Sequence, residues 1–186
     1  MPLNSVQTTF TDAPGPGYPG QLADDGSARR VTAVRSFRTE SLIYPGRFVV
    51  KGTANGQNDP LLTPYGVKQV LAGSVLADLV GIAVRGHATD STNDANNEAV
   101  TIRATTMNAV AELHSGAIIY AEVPPGITVA HNDPVYVSVS HASIPVGKAS
   151  NAAATGLIGP VVGAVWYGAA APGSMGRIRL NTGTNV

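Results

Sequence analysis

Ala13 to Arg30, reading APGPGYPGQLADDGSARR, is the stretch that most narrows what this chain can fold into. Pro14, Pro16 and Pro19 each fix φ and remove a backbone donor. Gly15, Gly17, Gly20 and Gly26 weaken any helix or strand around them. Such a segment predicts an extended arm and not a core element. Phe10 just ahead of it, and Tyr18 and Leu22 within it, stand among polar and turn residues, a pattern expected where an arm orders on a partner. Residues 1–30 therefore read as an extended N-terminal arm, and residues 31–186 as a β-rich body.

In the body, β-prone runs rarely exceed seven residues before turn chemistry interrupts them. VTAVRSF, SLIY, RFVVKG, LVGIAVR, AVTIRA, NAVAEL, AIIYAEV, ITVA, VYVSVS and RIRL follow one another between Gly, Pro, Asn and Asp clusters. Tyr44-Pro45-Gly46-Arg47 predicts a tight turn, and His114-Ser115-Gly116 predicts a hairpin between its two flanking runs. Val67 to Leu79 is ambiguous between strand and one or two helical turns, with Gly73 arguing against a long helix. In VYVSVS, Val135, Val137 and Val139 alternate with Tyr136, Ser138 and Ser140, as a half-buried strand requires. RIRL places Arg177 and Arg179 on one face. The fold class that follows is all-β: an antiparallel β-barrel or jelly-roll-like body.

Charge and composition remove several function classes. Twelve Lys+Arg balance twelve Asp+Glu, and only 13% of residues are charged, so there is no basic field for nucleic acid. Low charge also favours a subunit whose surface is partly covered by neighbours. The chain has no cysteine, which excludes disulfides and thiolate metal sites. No apolar run approaches the roughly 18 residues of a membrane helix, and no membrane partner is expected. The opening MPLNSVQTT lacks the pattern of a secretory signal, so synthesis and assembly in a cytoplasm are the default expectation.

Apparent motifs fail their context tests. Gly15, Gly17 and Gly20 satisfy G-x-G-x-x-G with Glu40 twenty residues on, but the interleaved prolines forbid the strand and helix that dinucleotide binding needs. His87, His114, His131 and His141 share no ligand spacing. Asp90, Asp94 and Glu98 lie in a polar loop without the sixth-position glycine of a calcium loop, and Thr101 stands where its glutamate would be. No nucleophile elbow is present. No cofactor, metal or catalytic residue is expected. Arg29, Arg30, Arg35 and Arg38 form a modest basic cluster, either a solvated face or a patch for an acidic protein surface.

The order of the pieces carries a resemblance. APGPGYPGQLAD (Ala13 to Asp24) is followed by GIAVR (Gly81 to Arg85), then a polar loop, then MNAVAELHSGAIIY (Met107 to Tyr120). VAHNDPVYV (Val129 to Val137) and a glycine-rich segment ending in RIRL (Arg177 to Leu180) complete it. This order resembles the structural cement, or capsid decoration, proteins of tailed bacteriophage heads. Many members carry glycine before the aspartate of the DPVY turn, where this chain has Asn132, a residue that tolerates positive φ. The resemblance implies a virion protein on the outer surface of the capsid, bound to major capsid proteins, oligomeric at a symmetry axis and without catalytic residues. A homotrimer is the expected oligomer, with a dimer as the alternative. Phe10, Tyr18 and Leu22 are the expected anchors of the arm, and Arg29 and Arg30 its polar contacts. A carbohydrate-binding or host-adhesion module of a phage fibre or baseplate is the competing class, although ten aromatic residues give it little to stack on sugars.

Overall fold

The computed structural model describes residues 17–23, 34–54, 65–85, 90–91, 100–101 and 107–181. Thirteen strands lie within them. In chain order they are β1 (Val34–Arg38), β2 (Phe48–Ala54), β3 (Tyr65–Gln69), β4 (Leu79–Ala83), β5 (Asp90–Ser91), β6 (Val100–Thr101) and β7 (Met107–Glu112). They continue with β8 (Ile118–Glu122), β9 (Tyr136–Ser138), β10 (Ala149–Ser150), β11 (Leu157–Ile158), β12 (Ala164–Trp166) and β13 (Met175–Leu180). Among the described residues the only helix is a single 3₁₀ turn, Leu76–Asp78, so the all-β expectation holds.

The first sheet has the order β1-β7-β4-β2-β3, with every pair antiparallel. β2 breaks register against both of its neighbours, between Val49 and Val50 and again between Lys51 and Ala54. Such bulges increase twist and bend a sheet. Here the sheet curls until Thr39, just past β1, forms a lone parallel bridge with Val67 of β3, and Glu40 N donates to Val67 O at 2.8 Å. The bridge does not extend into a ladder. The sheets of the described residues are thus not closed into the expected barrel.

Curling gives this sheet two buried faces. Phe37, Ile43, Val49, Val67, Val80, Ala83 and Val110 pack together in a small core. Alternate residues of the same strands, Phe48, Val50, Leu79, Ile82 and Ala111, belong to a larger core with β8, β9, β12 and β13. β4 is consequently buried at every position, which is why its sequence, LVGIA, is an unbroken apolar run.

The larger core centres on Trp166, which is fully buried, its indole Nε1 donating to Ser150 O at 3.3 Å. It shares this core with Ile119, Val135, Val137, Ile178 and Leu180. The second half of the chain supplies two three-stranded sheets, β10-β9-β11 and β12-β13-β8, and β5 pairs with β6 alone. In β13 the burial alternates as expected: Gly176, Ile178 and Leu180 point inward, while Arg177 and Arg179 share the other face.

Two local expectations need correction. His114-Ser115-Gly116 is not a hairpin: β7 pairs with β1 and β4, and β8 pairs with β13. His114 at φ 67° and Gly116 at φ 79° turn the chain, but Leu113 N still bonds Val80 O, whereas Gly116 N bonds Leu180 O. The turn is therefore a corner between sheets. In VYVSVS, Ser138 is buried instead of exposed, and its hydroxyl donates to Ile144 O at 2.7 Å. The ambiguous Val67–Leu79 stretch resolves into the end of β3, a turn at Gly73 and the 3₁₀ turn. Leu71, Val75 and Leu76 are left exposed there.

Candidate functional site

Tyr18-Pro19-Gly20-Gln21 has the residue pattern of a type II turn, with proline at the second position and glycine at the third. The structure forms it: Gln21 N donates to Tyr18 O at 2.9 Å, Gly20 has φ 78°, and the Gln21 amide oxygen accepts from Tyr18 N at 3.1 Å. The turn leads the chain along the free edge of β8. Gly20 N donates to Tyr120 O, Tyr120 N to Gln21 O and Ala23 N to Ile118 O, all within 2.8–2.9 Å, and Leu22 bridges Ile119. On its other side, Arg85 N donates to Gly20 O at 2.8 Å. Gly17 must lack a side chain because a Cβ there would enter the Tyr120 ring. Residues 17–23, the middle of the stretch expected to form an extended arm, thus lie as a strap on the body, and Ala23 is fully buried.

The strap and the end of β4 enclose an open groove of about 430 Å³ lined by Tyr18, Gln21, Leu22, Val84 and Arg85. Leu22 packs its side chain on the larger core. Tyr18 is 65% exposed, and the Arg85 guanidinium lies 4.9 Å from its ring centroid. A cation held over an exposed aromatic ring offers an apolar plane and a fixed positive charge side by side, a common anchor for protein partners. The structure brings together Tyr18 and Leu22 of the expected anchors and adds Arg85. Phe10, Arg29 and Arg30 lie outside the described residues.

Residues 6–181 match the family described as structural cement protein (E217 gp24/Pam3 gp6). The chain belongs to the structural cement protein family. A chain from the solved capsid of Myoviridae phage XM1 shares its fold, with a TM-score of 0.58, 21% identity and 96% of each chain covered. Comparison with curated proteins found no match. Cement proteins are a structural phage family and not an enzyme family.

Other candidate residues of this cement protein have structural occupations. Glu40 accepts from Thr53 N at 2.9 Å and Thr53 Oγ1 at 3.1 Å, clasping β2. Arg35 and Arg38 are exposed on β1, and Arg35 sits 3.8 Å from Glu112. Their odd separation puts them on opposite sides of the strand, so they do not form one patch. His141 Nδ1 accepts from Ser143 N and Ile144 N, both at 3.2 Å, which makes it a turn residue. Among the described residues no three His, Cys, Asp or Glu converge to hold a metal. Asn132 adopts φ 67°, as expected of a substitute for glycine, and Asp133 beside it accepts from Ala130 N and Asn151 Nδ2, both at 2.8 Å.

Proposed function

We propose that this protein is a cement protein of a tailed-phage head that binds the outside of the capsid and stabilises contacts between neighbouring major capsid proteins. The family match over residues 6–181 is the observation that carries this reading. A ligand that binds only the assembled shell strengthens it by mass action, with no chemistry required. Phe10, Tyr18 and Leu22 are the proposed anchors, and Arg29 and Arg30 the proposed polar contacts, on an N-terminal arm that the strap ties to the body. The curled, bulged sheet supports a body of barrel-like or jelly-roll character. A homotrimer, or in its place a dimer, multiplies weak contacts into firm attachment. The protein is made in the host cytoplasm and ends on the virion surface.

Removing residues 1–16 tests the arm while sparing the strap. The truncated protein is expected to keep its thermal transition and to cosediment more weakly with capsids. Unchanged decoration by the truncated protein would rule out residues 1–16, Phe10 among them, as part of the attachment. Native mass measurement of the intact protein separates trimer from dimer.

A further inference from the structure

Arg177 and Arg179 stand on the outer face of β13, and both guanidinium carbons lie over the same ring, 5.2 and 5.1 Å from the centroid of Tyr167. His131 packs edge-on against that ring at 5.4 Å, and its Nδ1 accepts from Gly168 N at 3.1 Å. With Nδ1 accepting, the imidazole proton sits on Nε2 and makes that atom a donor. The cluster therefore presents two guanidinium groups, an imidazole N–H and a phenol.

Among the described residues no side chain answers the guanidinium donors. Among the described residues neither arginine pairs with a carboxylate, and Arg179 Nε is buried without any hydrogen-bond partner. The adjacent carboxylates are committed elsewhere: Glu122 to Lys148 at 2.6 Å, Asp133 to Ala130 N and Asn151. Two like charges held on one ring, one with a buried unpaired N–H, are an arrangement that folding alone does not favour. The other guanidinium nitrogens of the pair are accessible to an entering oxyanion, and a planar guanidinium fork matches a carboxylate with two parallel hydrogen bonds.

We infer that Arg177, Arg179, Tyr167 and His131 form a receptor for a carboxylate presented by an acidic segment of a protein partner. A protein carboxylate fits better than a nucleic-acid backbone. The site is a point with two cations, the flanking Lys148–Glu122 pair is neutral, and the chain as a whole has no net charge to hold a polyanion. The receptor shares no residue with the groove at Tyr18, and the inference does not depend on capsid attachment.

The test is titration of the full-length protein with acetylated tetraglutamate amide, followed by the arginine Nε–H resonances. A saturable shift is expected at Arg177 and Arg179. Binding should weaken roughly tenfold or more in R177Q/R179Q, and nearly as much in R177K/R179K, which keeps the charges but loses the forks. R179M should melt no lower than the parent, because it removes an unpaired donor. Undiminished peptide binding by R177Q/R179Q would overturn the inference, and so would a melting temperature several degrees lower in R179M. Tighter binding of a thymidine oligonucleotide than of the peptide, lost in the same variants, would overturn the carboxylate assignment in favour of phosphate.

Discussion

The two main sheets dispose of their exposed edges in opposite ways. The five-stranded sheet uses its own strands: bulges in β2 curl it until Thr39 meets Val67, and the edge of β1 comes round to the edge of β3. The β12-β13-β8 sheet covers the edge of β8 with a segment from about a hundred residues earlier in the chain, the strap at Gly17 to Ala23. An unpaired edge is a template for unwanted pairing, so each solution protects the fold. They differ in what supports them. The curl is held by a packed core on its inside, whereas the strap is held mainly by backbone hydrogen bonds, the half-buried Leu22, the buried Ala23 and close contacts at Gly17 and Gly20. The first should fail only with the whole domain. The second can open by itself.

Phe37→Ala attacks the curl at the centre of its inner core and should cost about 3–5 kcal/mol, read from urea denaturation. A loss under about 1 kcal/mol would show that the inside of the curl is not tightly packed. Gly20→Val attacks the strap, since a Cβ at φ 78° would also meet Pro45 at 2.6 Å and Gly46 N at 2.7 Å. About 2–3 kcal/mol is expected, and hydrogen exchange should speed at Gly20, Ala23 and Tyr120 while the Val84 and Leu113 amides of the other sheet stay protected. Uniform acceleration across both sheets would mean that the two edges are one cooperative unit. Leu22→Ala should loosen the strap more mildly, by about 1–2 kcal/mol with the same local exchange signature. Leu76→Ser is the contrast: this exposed leucine supports neither edge, and the denaturation midpoint should move by less than about 0.5 kcal/mol in equivalent stability.

Local chemistry made much of the body legible. Alternation in RIRL, the unbroken apolar run of LVGIA and the turn residues at Tyr44 to Arg47 each translate directly into structure, because strand period and turn type are short-range properties. Asn132 is legible for the same reason. What escaped depends on register between distant segments. His114-Ser115-Gly116 has the residues of a hairpin turn, and only the separate partners of Leu113 and Gly116 make it a corner. The strap has the composition of a free arm, and only the edge of β8 and the Arg85 amide give its backbone somewhere to bond. At the site, Tyr18 and Leu22 stood out as apolar residues in a polar, turn-rich stretch. Arg85 did not, because its place over Tyr18 exists only once the strap is docked. Tyr167 was equally hidden: Arg177 and Arg179 predict a shared face, but not that one ring lies beneath both.

The docked strap also sets a distance limit. Gly17 is fixed beside Tyr120, and Phe10 is seven residues before it, so Phe10 can reach at most about 25 Å from that point. Arg29, six residues past the buried Ala23, can be at most roughly 20 Å from it. Whatever these residues touch must lie within those two short leashes of the sheet edge that the strap covers.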